Sequence, residues 1–292
     1  MAMPAPTRSY PDIADHEAWR SLIAKSNQEL TNLYGVRPLD TPPVRKERIA
    51  DVPVIQVVYE AASAGTGKVY LDFHGGALIL FGGDIIIPLA QKLSLVVKAN
   101  VVSVDYRMPP DHPYPAGLDD CVAVYKGLLE RHGAHNIVIG GASAGGNLAL
   151  ATILRAKAEG LPMPAGLALL TPEIDLTESG DSFQVLKGLD RLGPLIEVNR
   201  LYAGTTPLTD PYVSPLFGDF SGDFPRTFIQ AGTRDLFLSN AVRLHRALRR
   251  HDIEADLHIW EALPHGGFLV APEDAEIDEE LYKFTRSCWN DR

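Results

Sequence analysis

Ile137-Val138-Ile139-Gly140-Gly141-Ala142-Ser143-Ala144-Gly145-Gly146-Asn147 is an apolar run, a glycine-rich turn and the opening of a second apolar segment. It reads as a buried strand, a tight turn and the start of a helix. Gly141 and Gly145 stand two positions either side of Ser143, the G-x-S-x-G spacing that exposes a serine on a strained strand-to-helix turn. Glycine is needed at both places because a Cβ there would collide with the neighbouring strand or helix. Turns of this kind also bind phosphates, but neither phosphate pattern fits. No two of these glycines begin a G-x-G-x-x-G fingerprint. Gly141 and Gly146 have P-loop spacing, yet Asn147-Leu148 stands where Lys and Ser/Thr are required.

A serine is a weak nucleophile at neutral pH and needs a base that is itself oriented by a carboxylate. In a parallel sheet those partners belong on loops at the carboxyl ends of later strands. Residues 227–231 read as a strand, and Gly232-Thr233-Arg234-Asp235 follows; residues 255–260 read as the next, and Glu261-Ala262-Leu263-Pro264-His265 follows. The order Ser143, Asp235, His265 is therefore the candidate catalytic set. His245 and His251 fall on the intervening helix and His258 inside a strand, so they read as surface or packing residues. Asp210, Asp219 and Asp223 precede the strand and read as turn formers. A tetrahedral intermediate also needs amide donors. His74-Gly75-Gly76-Ala77 follows the strand of residues 68–73, so Gly75, Gly76 and Ala77, with Ala144 after the serine, are the candidate oxyanion hole. His74 reads as a loop anchor.

Outward from this centre the pattern alternates. Residues 45–50 and 54–59 read as strands paired in an antiparallel edge. Helices at 85–98, 117–131 and 144–159 then alternate with strands at 101–105, 137–141 and 166–170. The rhythm stops at residues 171–225, too long for an ordinary connection, and resumes with a helix at 239–251 and a closing helix at 273–289. Eight strands in this order predict an α/β fold with a mostly parallel sheet covered by helices on both faces. Residues 12–34 have the apolar spacing of one or two amphipathic helices, ended by Gly35 and the prolines at 38, 42 and 43. The expected organisation is an N-terminal appendage, 1–44, a core of 45–170 and 226–292, and an insertion, 171–225, of the length of a lid or specificity element.

Composition narrows the function classes. A chain of 292 residues, 46% hydrophobic and 22% charged, buries a sizeable core and excludes disorder. Its 27 basic and 37 acidic residues give a net charge of −10, which disfavours nucleic acid or an anionic membrane as partner. Cys121 and Cys288 form no C-x-x-C pair, residues 1–8 open no signal-peptide run, and no stretch approaches the roughly 20 apolar residues of a membrane span. Together these suggest free thiols and a cytoplasmic protein. There is no H-E-x-x-H, and His132-x-x-His135 lacks carboxylate or cysteine companions, so no metal site is expected.

From Lys68 to Phe268 the sequence resembles the hormone-sensitive-lipase family of α/β-hydrolase esterases. The blocks that carry the resemblance are Phe73-His74-Gly75-Gly76-Ala77, residues 105–116, Gly141 to Asn147, Ser214-Pro215-Leu216, Gly232-Thr233-Arg234-Asp235 and Pro264-His265-Gly266. The resemblance implies an α/β-hydrolase fold with a helical cap made of the N-terminal cap segment, 1–44, and the cap insertion, 171–225, no cofactor, and hydrolysis of short to medium acyl esters through an acyl-serine. It also implies homodimers formed through the last strand and helix. Three positions depart from the family pattern: Ala77 for the third glycine, Ala142 for an aspartate, and Leu78 for an aromatic. Tyr34, Leu78, Leu186, Leu201, Tyr202 and Phe268 are the candidate pocket wall. Two other readings use the same residues: a lactone hydrolase, and a non-catalytic small-molecule receptor on this fold.

Overall fold

A computed structural model of the protein describes residues 9–34, 41–59, 67–269 and 271–290, without the side chains of residues 33, 34 and 290. The segment that decides the fold forms β5 (Ile137–Ala142) and α4 (Ala144–Ala158). Before it come α1 (His16–Tyr34), β1 (Val44–Ile49), β2 (Val52–Val57), β3 (Val69–Phe73), α2 (Ile86–Val97), β4 (Asn100–Val104) and α3 (Ala116–His132). After it come β6 (Gly166–Leu170), α5 (Ser182–Val185), α6 (Ile196–Ala203), β7 (Thr227–Arg234), α7 (Leu238–Arg250), β8 (Ala255–Pro264) and α8 (Glu273–Asn290). Among the described residues the eight strands form one sheet in the order β1-β2-β4-β3-β5-β6-β7-β8. β2 runs antiparallel to both its neighbours, and every pairing from β4 to β8 is parallel.

Strand residues alternate between two cores because successive side chains leave opposite faces of a sheet. Leu71, Phe73, Ile139 and Leu169 pack with α3, α4 and α7 on one face, while Tyr70, Val138, Ala168 and Phe228 pack with α2 and α8 on the other. The central strands are apolar on both faces for this reason. A third cluster lies apart from the sheet faces. It joins Trp19 of α1, Ile79 of the loop after β3, Phe183, Leu195, Val198 and Leu201 of the 171–225 insertion, and Leu236 and Phe237 after β7.

The helix expected in residues 12–34 is the single α1. Most other boundaries move by one or two residues, but β7 and β8 run further than expected, to Arg234 and Pro264. The ladder survives a register shift between Gly232 and Arg234, then pairs Arg234 with Pro264. Gly232 permits this close approach, since a Cβ there would lie 2.0 Å from the Leu263 carbonyl oxygen. Asp235 and His265 are consequently the first residues beyond two paired strand ends, rather than loop residues some way past them.

The turn after β5 is closer still. A Cβ on Gly145 would sit 1.8 Å from the Phe73 carbonyl oxygen, and one on Gly141 would sit 2.4 Å from Gly145. Backbone atoms cannot yield as a flexible side chain can. Gly145→Ala is therefore expected to destabilise the fold by at least about 2–3 kcal/mol. Gly193→Ala, with nothing within 4 Å of the new methyl, should stay within about 0.5 kcal/mol of wild type. Urea unfolding of both variants checks the pair; equal midpoints would refute the packing argument.

Candidate active site

Ser143 adopts φ 56° and ψ −122°, a strained conformation for a residue with a side chain. It is held there from four directions. Its amide donates to the Leu170 carbonyl at 2.9 Å, and its own carbonyl accepts from Gly146 (2.9 Å), Asn147 (3.3 Å) and Glu173 (3.1 Å). A serine before a helix ordinarily caps it with its hydroxyl. Ser143 makes no such cap bond; its Oγ lies 3.0 Å from His265 Nε2.

On the other side of the ring, His265 Nδ1 lies 3.1 Å from Asp235 Oδ1. That oxygen also accepts the Phe237 amide at 3.0 Å, so Asp235 orients the imidazole and caps the approach to α7 with one atom. Asp235 is fully buried and the His265 side chain is 12% exposed. Phe237 meets the imidazole edge-on with ring centroids 4.8 Å apart, which limits its rotation. The three residues picked from loop position thus form one hydrogen-bonded line.

The loop 74–77 runs beside the serine. A Cβ on Gly75 would lie 3.5 Å from Ser143 Cβ. The amides of Gly75, Gly76 and Ala77 donate to no acceptor among the described residues, and Ala144 opens α4, where an amide has no helical partner. Ala77 has φ 52°, a left-handed backbone that is strained for a residue with a methyl group, and Leu78 has φ 62°. His74 anchors this loop. Its Nδ1 lies 2.8 Å from the Gly75 carbonyl, and its ring stacks on Tyr106 at 4.1 Å, while the Tyr106 hydroxyl donates to the His74 carbonyl at 2.8 Å. Burial pushes the His74 imidazole down to about 4, so it is neutral at physiological pH.

The pocket candidates separate. Leu186 and Leu201 join the third cluster, with Ala77, Leu80 and Phe237. Leu78 and Tyr202 do not: both are buried in the core on the α3 and α4 face, Tyr202 packed edge-on against Tyr114 at 6.0 Å. The second left-handed residue turns Leu78 into the core, and Tyr202 lies on the inner side of α6. Phe268 is half-buried, with its amide on Asp274 Oδ1 at 3.1 Å. Tyr34 ends α1, and its side chain lies outside the described residues. Among the described residues no group of three His, Cys, Asp or Glu side chains is arranged to hold a metal ion; His132 Nδ1 lies 2.8 Å from the Gly67 carbonyl.

Sequence reading missed Asp190 and Glu173, both in the insertion and both buried. Nothing in local spacing marks them. Desolvation, with Glu178 nearby, pushes the Glu173 carboxyl from 4.5 up to about 8. Between those values the folded chain holds a proton that the unfolded chain has released, so stability falls as pH rises from 4.5 toward 8. Glu173→Gln copies the protonated form and removes this slope. Thermal melts should show a smaller loss of Tm between pH 5 and pH 8 in the variant than in wild type; parallel curves would exclude a proton on Glu173.

With this geometry in place, the similarities to known proteins are informative. A sequence family described by the alpha/beta hydrolase fold matches residues 70–269. An esterase of Acinetobacter venetianus is 32% identical over 243 residues, 80% of this chain and 77% of its own. An acetyl-hydrolase of Streptomyces hygroscopicus is 30% identical over 230 residues, 76% of each chain. Among solved structures, an esterase shares 35% identity at a TM-score of 0.85, covering 97% of this chain and 90% of its own. A hormone-sensitive lipase from a metagenome library shares 30% at a TM-score of 0.87, covering 98% and 94%. The chain belongs to the α/β-hydrolase family, within the hormone-sensitive-lipase branch of carboxylic-ester hydrolases.

Proposed function

We propose that this protein is a serine esterase that cleaves short to medium acyl esters through an acyl-Ser143 intermediate. The observation that carries this reading is the line Ser143 Oγ, His265 and Asp235, with contacts of 3.0 and 3.1 Å, at a strained serine. Ser143 Oγ attacks the acyl carbon as His265 Nε2 takes its proton, and the same proton passes to the departing alkoxide. Water then attacks the acyl-serine, giving its proton to His265, and Ser143 recovers a proton as the acid leaves. Asp235 fixes the imidazole tautomer and stabilises its cation. The amides of Gly76, Ala77 and Ala144 face the developing oxyanion, Gly75 bringing their loop against the serine.

The names esterase and acetyl-hydrolase borne by relatives support a small carboxylic ester as substrate. So does the third cluster, which closes apolar side chains of α1 and of residues 171–225 around Ala77 and Phe237. We read residues 1–44 and 171–225 as a cap over a core of 45–170 and 226–292. β8 is an outer strand of the sheet with Ile259 39% exposed, which supports a homodimer along that edge. Cys121 is a buried thiol that forms no disulfide with Cys288, in keeping with a cytoplasmic setting. Among the described residues no helix is long and apolar enough to cross a membrane.

Rates on p-nitrophenyl esters from acetate to decanoate test the reading. Asp235→Asn keeps the geometry but reverses the tautomer and should cost on the order of 10,000-fold in kcat; Ser143→Ala should cost at least as much. Wild-type kcat/KM should be highest among the shorter chains, and Leu186→Ala should move the optimum to longer ones. A Ser143→Ala variant that retains wild-type rates would sink the mechanism, and a strong preference for one lactone over every linear ester would replace the substrate class.

A further inference from the structure

Asp190 lies in the 171–225 insertion, in the turn after α5, where its amide donates to the Leu186 carbonyl at 3.2 Å. Its side chain is fully buried and points away from the insertion. Asp190 Oδ2 accepts the Leu236 amide at 2.8 Å, and Oδ1 accepts the His265 amide at 3.0 Å. Leu236 follows Asp235 directly, so one carboxylate joins the backbones that carry both partners of Ser143. The next residue adds a contact on the same loop: Arg191 Nη2 donates to the Gly267 carbonyl at 2.7 Å. This loop needs support from outside the sheet. β8 ends at Pro264, and Gly266 and Gly267 have φ of 79° and 94°.

We propose that Asp190 and Arg191 are positioning residues through which the insertion sets the alignment of His265 with Ser143 and Asp235. The proposal rests on the esterase reading above, and its physical basis is that one buried carboxylate accepts a backbone amide from each of the two loops. Each Asp190 oxygen takes one amide, so neither loop can shift without stretching a bond to the other. Leu186, which receives the Asp190 amide, belongs to the apolar cluster that also holds Phe237, and Phe237 packs on the imidazole. An acyl chain seated against Leu186 therefore presses on the turn that holds the base. The insertion selects substrate and aligns the base through the same six residues of chain, from Leu186 to Arg191.

Asp190→Asn keeps the shape, but its NH2 group replaces one acceptor and faces an amide N–H. Displacement of the base should lower kcat by about 10–100-fold with KM changed little. The downfield proton resonance of the His265 Nδ1–H, identified by its loss in His265→Ala, should broaden or shift. Arg191 is exposed, so Arg191→Ala is expected to fold; it should show a smaller fall in kcat, and Arg191→Lys, which keeps a donor for the Gly267 carbonyl, should restore most of it. If folded Asp190→Asn and Arg191→Ala keep wild-type kcat and an unchanged resonance while only Tm falls, the two residues are structural and the proposal fails. A change confined to KM would overturn it as well. The resonance is read without turnover, so failure of the esterase reading, seen as an inert wild type, is distinguishable from failure of this one.

Discussion

The approach of Gly145 to the carbonyl of Phe73 is the contact on which the rest of the structure depends. It lets the first turn of α4 press against the end of β3, and so places the serine turn beside the loop that β3 delivers. Any side chain at Gly145 would drive the two apart. Because α4 is seated this deeply, nearly all of it is buried, and its apolar residues have no polar face. Because β3 and β5 are neighbours in the sheet, the same contact brings the amides of residues 75–77, which donate to no acceptor among the described residues, beside Ser143. One backbone contact thus fixes the packing of the central helix and the place of Ser143.

A second close approach works on the other half of the site. Gly232 lets β7 and β8 stay paired through a register shift until Arg234 and Pro264, and the next residue on each strand is Asp235 and His265. The carboxylate and the imidazole meet because the residues just before them, Arg234 and Pro264, are paired, and Phe237 closes the remaining rotational freedom of the ring. Polar groups around these contacts are tuned by burial. His74 stays neutral beside Tyr106 and serves as a wedge under its loop, leaving His265 as the imidazole in hydrogen-bond reach of Ser143.

Much of this was legible in the sequence because it is local. A glycine two residues either side of a serine, and an acid and a histidine after successive strands, are short-range patterns with steric or topological causes. The alternation of strands and helices gave the sheet for the same reason. Legibility ended where the cause was non-local. The extension of β7 and β8 depends on the space beside Gly232, which no propensity registers. Leu78, expected in the pocket where the family carries an aromatic, has a left-handed backbone and packs in the core. Tyr202 was assigned from its place in the insertion, although only one side of α6 faces the third cluster. Asp190 and Glu173 gave no signal, since an acid in a long connection reads as solvent-facing until the elements that bury it are known.

Strain in the 74–83 loop shows how the two outer segments share the task of holding the site. Ala77, Leu78 and Phe81 all have positive φ, at roughly 1–2 kcal/mol each for residues with a Cβ. Such a loop persists only if its surroundings over-determine it. Gly76 accepts the amides of Ile79 and Leu80, Asp105 accepts the Gly83 amide, and Asn27 of α1 accepts the Phe81 amide at 3.1 Å. α1 is itself tied down by Trp19 in the third cluster and by the Arg20–Asp111 ion pair at its edge. The N-terminal helix therefore seats the loop of candidate oxyanion donors, just as Asp190 of the insertion contacts the loop of His265. Each reaches one half of a candidate site whose centre is fixed by glycines, and the apolar cluster joins Trp19 of α1 and the insertion to Phe237, which packs on the His265 ring.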